Sequence, residues 1–176
     1  GGGVRIYMAT VWIIGDSWGT KNSLPIHMRR RHTHLAELLS ESGHCVKNCS
    51  IPGASNGQTI ARAVKRYNKL QQQKNSYPID YAVWFHTESL RERDHGMLDD
   101  KFAIWELTKR QATLNYQMWK EFIDLTGAQD IIIGGQAPVI TDLLVHEPYH
   151  VIEDWRCELL GVPSIMTHSV CHTDLF

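Results

Sequence analysis

Long apolar runs are missing from this chain: none approaches the ~20 residues that a membrane span needs, and no secretory leader is visible. A soluble, cytoplasmic protein with no membrane partner is expected. An excess of one charge is missing too. Lys plus Arg number 18 and Asp plus Glu 19, for a formal net charge of −1, so nothing global points to nucleic acid or to an anionic surface as partner. Cysteine is sparse. Cys45, Cys49, Cys157 and Cys171 are scattered with no Cys-x-x-Cys pair, which argues against a disulfide framework or a zinc knuckle. The only compact group of metal-ligating types is His168, Cys171 and His172. It offers three ligands where a structural zinc takes four, so no metal and no other cofactor is expected. Repeats, linkers and low-complexity segments are absent as well. What is present is 176 residues, 43% of them hydrophobic, enough for one domain to bury its core without staples.

The informative stretch is Val11-Trp12-Ile13-Ile14-Gly15-Asp16-Ser17-Trp18-Gly19. A short apolar run that breaks into glycines reads as a buried strand ending in a tight turn, and the turn presents a serine. In an open α/β sheet, ligands bind beyond the carboxyl ends of the strands, which makes Ser17 a candidate nucleophile. The same residues spell Gly-x-Ser-x-Gly, the elbow of the α/β-hydrolases. That elbow follows several strands and draws part of its oxyanion hole from an upstream loop; only sixteen residues precede Ser17, too few to supply one.

Further along, a helix is expected from Ser23-Leu24-Pro25 to Ser42, stopped by Gly43. Its basic cluster, His27 to His34, is read as a solvated face, with an anion or glycan-acid contact as the alternative. Residues 45–51 alternate like a strand and end at Pro52-Gly53-Ala54-Ser55-Asn56-Gly57. A helix from about Gly57 to Gln73 would point its positive end at whatever sits in that loop. A third strand, 79–85, opens into His86-Thr87-Glu88-Ser89. The charged run after it, including Arg91 and His95, is read as a largely solvated loop beside the site, with a substrate contact by Glu88, Arg91 or His95 as the alternative. Asp99 and Asp100 cap a long helix to about Thr126 whose Phe102, Trp105, Ala112, Tyr116, Trp119 and Ile123 form a core stripe. A fourth strand is expected over 130–135, a weak helix over 151–160 and a fifth strand over 162–166. Five strands alternating with helices predict an α/β fold: a three-layer, doubly wound, mainly parallel sheet of the flavodoxin-like kind. Gly1 to Tyr7 are read as a translated leader ahead of Met8, which leaves one domain over 8–176.

Taken in order, these strand ends resemble the SGNH (GDSL-type) serine hydrolases across nearly the whole chain from Met8. Gly15-Asp16-Ser17 is similar to block I, with Ser17 in the nucleophile's place, and Gly53 in Pro52-Gly53-Ala54-Ser55-Asn56 is similar to the block II glycine. The resemblance implies an oxyanion held by the N–H groups of Ser17 and Gly53. The wording of these loops, with Trp84-Phe85-His86-Thr87-Glu88 and Gly134-Gly135-Gln136-Ala137-Pro138, looks most like SGNH-type proteins of tailed phages, and a virion-associated location is the alternative to the cytoplasm. Block III departs from the family's Gly-x-Asn-Asp; Thr87 would donate in place of the asparagine. Block V, Asp-x-x-His before a closing helix, does not appear. His172, with Asp174 two residues on, stands nearest its place at a different spacing, and the chain is expected to end before the block.

The implied chemistry is ester hydrolysis through an acyl-serine, with Ser17, Gly53, Thr87 and His172 as catalytic candidates and Asp16, Asn56 and Glu88 as substrate contacts. The expected partner is a small-molecule or glycan ester, such as an O-acetyl group. Two other classes compete with it. A non-catalytic binding or virion-structural protein would account for the altered block III and the absent block V. A nucleotide-binding flavodoxin-like domain would need a glycine-rich phosphate loop, and neither Gly-x-Gly-x-x-Gly nor a Walker pattern follows the first strand.

Overall fold

Alternation along the first strand decides how the sheet is covered. In β1 (Thr10–Ile14), Trp12 and Ile14 enter one apolar cluster while Val11 and Ile13 enter another on the opposite face. A strand buried on both faces is a central strand of a parallel sheet. The computed structural model describes residues 8–16, 19, 35–73, 78–92, 100–134, 143 and 151–152. In it β1 pairs in parallel with β2 (Cys45–Asn48) on one side and with β3 (Tyr81–His86) on the other. β4 (Gln129–Gly134) continues the sheet beyond β3, and a two-residue β5 (Val151–Ile152) pairs in parallel with β4. The order β2-β1-β3-β4-β5 is the flavodoxin-like doubly wound order, whose switch point lies between β1 and β3.

Helices lie on both faces. α1 (Leu35–Glu41) places Leu35 and Leu39 against Val11, Ile13, Val83, Phe85 and Ile133. The other face carries α2 (Asn56–Gln72) and α3 (Lys101–Thr126), with Ile60 and Ala63 from the first and Ala112, Tyr116, Trp119 and Phe122 from the second. Aromatic rings dominate there. Trp84 of β3 stacks at 5.3 Å from Trp119 and meets Tyr116 edge-on at 5.7 Å, geometries that add to plain apolar burial. α3 starts at Asp100, whose side chain accepts from Phe102 N–H, and stops at Gly127 in the left-handed region. No helix among the described residues is long and apolar enough to cross a membrane.

The structure corrects several expectations. The strand expected over 45–51 is shorter, Cys45–Asn48, because the chain turns towards the Pro52-Gly53 corner. The helix after that corner begins at Asn56, one residue early, because Ser55 caps it. Val151–Ile152, expected to open a helix, is instead a strand, since β4 offers it an unpaired edge. The stripe on α3 is core only from Ala112 onwards: Phe102 is 70% exposed and Trp105 48%, while Ala112 and Trp119 are fully buried. The helix expected over 25–42 is described only from Leu35, and the strand expected over 162–166 lies outside the described residues.

Cys49, just past β2, is buried, and its Sγ lies 3.7 Å from Arg66 Nη1. Burial pushes this thiol above the ordinary cysteine range, and Arg66 only partly offsets it. Cys45 is exposed. Because thiolate is the reactive form, iodoacetamide near pH 8 is expected to alkylate Cys45 at least ~10-fold faster than Cys49, a gap that closes on unfolding. Peptide mapping by mass spectrometry reads both rates; equal labelling of the native protein would refute the burial.

Candidate active site

Three loops leave the carboxyl ends of β1, β2 and β3 and are bound to one another. The β1 loop starts at Gly15, where a Cβ would stand 2.6 Å from Phe85 Cβ and 3.1 Å from Phe85 O. At Gly19 a Cβ would overlap Ser50 Oγ. Gly15 is therefore required by its close approach to the β3 backbone, whereas Gly19 faces only the Ser50 and Ile13 side chains; neither is at positive φ. Between them, Asp16 is fully buried, and its C=O accepts from Gly19 N–H at 3.1 Å. Ser17 follows Asp16 and lies outside the described residues.

In the β2 loop, Pro52 stands second and Gly53 third in a turn closed by Ala54 N–H donating to Ile51 C=O at 3.2 Å, and Gly53 has φ +74. Proline second and a left-handed glycine third is the signature of a type II turn. Gly53 is exposed, and its N–H donates to no described residue. Ser55 then caps α2: its Oγ accepts from Gln58 N–H at 3.2 Å, and Gln58 Oε1 accepts from Ser55 N–H at 3.0 Å. This capping box is written in the sequence as Ser-x-x-Gln, a signal the sequence reading did not use.

Asn56 ties this loop to the next. Its Nδ2 donates to Thr87 C=O and its Oδ1 accepts from Thr87 N–H, both at 2.9 Å and both buried. The amide thus imitates a strand partner for the residue just after β3. Thr87 is itself buried, and its Oγ1 has no hydrogen-bond partner among the described residues. His86 packs against the rings of Trp84 and Tyr116, at 5.3 and 5.7 Å. Glu88 is exposed.

Arg91, in the 3₁₀ turn Ser89–Glu92, completes the set. Its Nη1 lies 3.3 Å from Asp16 Oδ2 and 3.3 Å from Ala54 O. A buried carboxylate needs such a partner. The expectation that Arg91 is merely solvated is therefore corrected; nothing local in the sequence announces a partner 75 residues away. Asp16 and Asn56, expected as substrate contacts, turn their polar groups to protein partners and hold loops together. His172 lies outside the described residues, as do His95, His168 and Cys171.

No family model matches the chain, and no curated protein matches it. Solved structures that resemble it include a putative SGNH hydrolase from Slackia heliotrinireducens, 20% identical, with a TM-score of 0.37. The match covers 72% of this chain and 55% of that one, so this chain spans about half the length of that protein. The fold class rests on the strand order itself.

The Asn56 clamp yields a direct test. Asn56→Asp keeps the size but sets a carboxylate oxygen against Thr87 C=O in place of a donor, an unpaired buried charge expected to cost about 2–4 kcal/mol. For a domain of this size that is roughly 5–15 °C in melting temperature. At about pH 4 the new carboxyl is protonated and donates again, so the deficit should shrink as pH falls. A deficit that is flat with pH in thermal melts would exclude the clamp.

Proposed function

We propose that this chain is a serine esterase of the SGNH kind that hydrolyses acyl esters through an acyl-serine intermediate. The observation that carries the reading is the tying together of the β1, β2 and β3 loops at the switch point by Asn56, Asp16 and Arg91. Ser17, Gly53 and Thr87 all belong to those loops. Ser17 Oγ attacks the ester carbonyl while a histidine takes its proton; His172 is the residue nearest the place where the resemblance expects one. The N–H groups of Ser17 and Gly53, with Thr87 Oγ1, donate to the oxyanion that forms. Collapse expels the alcohol, which takes the proton from the histidine, and water then releases the acid by the reverse path. Glu88, exposed at the mouth of the β3 loop, is the proposed contact to the alcohol portion of the substrate. An O-acetyl group on a glycan is the proposed natural ester, by resemblance to the family.

The test is hydrolysis of p-nitrophenyl acetate by the full chain beside a Ser17→Ala control, together with fluorophosphonate labelling mapped to its peptide. Turnover above the control and label on Ser17 support the esterase. Neither signal in a folded sample would leave a non-catalytic binding protein on the same fold.

A further inference from the structure

We infer that Arg91 is a positioning residue, setting the distance between the nucleophile loop and the oxyanion loop; this rests on the esterase reading above. One nitrogen, Nη1, reaches the β1 loop at Asp16 Oδ2 and the β2 loop at Ala54 O, each at 3.3 Å. It does so from the turn after β3, so a single guanidinium group bridges all three strand ends. The two anchor points are adjacent in sequence to the residues whose separation matters: Asp16 precedes Ser17, and Ala54 follows Gly53. Asp16 is fully buried and the Arg91 side chain is 23% exposed. The pair is thus largely shielded from water, and removing the arginine takes a charged partner from a buried carboxylate. Arg91 is also held from the other side. Leu90 beside it is buried, and the Asn56 clamp holds Thr87 four residues earlier. The guanidinium group is thus a spacer seated on packed structure.

A displacement of about 1 Å in a reacting group costs on the order of 100-fold in rate. Arg91→Met is therefore expected to lower kcat on p-nitrophenyl acetate by ~100-fold with KM within about twofold, since uniform binding is untouched. Arg91→Lys keeps the charge but not the forked donor geometry, and an intermediate loss of ~10-fold is expected. In Arg91→Ala, added guanidinium ion at millimolar concentration should restore part of kcat, a rescue that a general loss of folding would not show. If Arg91→Met does not fold, Arg91→Lys and the rescue carry the test. An active wild type whose folded Arg91 variants keep wild-type kcat, or whose variants change KM alone, overturns the assignment and leaves the esterase standing. A wild type with no turnover and no label on Ser17 overturns both.

Discussion

Ser17→Ala is expected to lower acetyl-ester turnover by about 10⁴-fold or more, leaving a residue of catalysis close to that of the binding loops alone. The size follows from the chemistry. Without the hydroxyl no acyl-enzyme forms, and water must attack the bound ester directly; the oxyanion donors still act, but on a slower reaction. Pre-steady-state kinetics gives a second reading, because a burst of p-nitrophenol equal to the enzyme concentration requires a covalent intermediate and should vanish in the variant. The proposal fails if Ser17→Ala turns over ester at the wild-type rate. It also fails if fluorophosphonate marks another residue in both proteins.

Gly15→Ala should be strongly destabilising, because the methyl group would meet strand backbone as well as a side chain. The added Cβ would stand 2.6 Å from Phe85 Cβ, 3.1 Å from its carbonyl oxygen and 3.3 Å from its Cα. These atoms belong to β3, which is paired to β1 through Ile14 and Trp84 one residue away, so relief requires the two central strands to part. Overpacking of this kind costs about 3 kcal/mol, roughly 6–12 °C in melting temperature at this chain length. Gly53→Ala is the matched control. Nothing lies within 4 Å of its Cβ and only its φ of +74 opposes the change, for about 1–2 kcal/mol. Thermal melts of the pair rank the two causes; equal shifts would mean that β1 and β3 do not approach at Gly15 as described.

Strand positions were legible because both faces of the sheet are covered, which turns each central strand into an apolar run ending in polar or glycine-rich residues. The Gly53 turn was legible for the same local reason, since proline followed by glycine carries its own geometry. The stripe on α3 misled at its start. Twenty-six residues of helix extend about 39 Å, whereas six-residue strands extend about 20 Å, so Phe102 and Trp105 reach past the sheet and stay exposed. Periodicity finds an apolar face but not how far the opposing surface extends. Asp16 and Asn56 were picked out by position in the right loops. The structure adds a loop-anchoring partner to each, Arg91 for Asp16 and Thr87 for Asn56.

From the sequence by itself came the first four strands, their polar ends, the Pro52-Gly53 corner and the doubly wound class, because each depends on residues within a few positions of one another. The tertiary structure alone decided that Asn56 clamps Thr87 across 31 residues, that Arg91 faces Asp16 across 75, and that Gly15 lies against Phe85. Those pairings exist only once the order β2-β1-β3 has brought three strand ends side by side. Closing loops of that length costs entropy that no local propensity offsets; packing on both faces of the sheet does, and it leaves no mark on neighbouring letters of the chain.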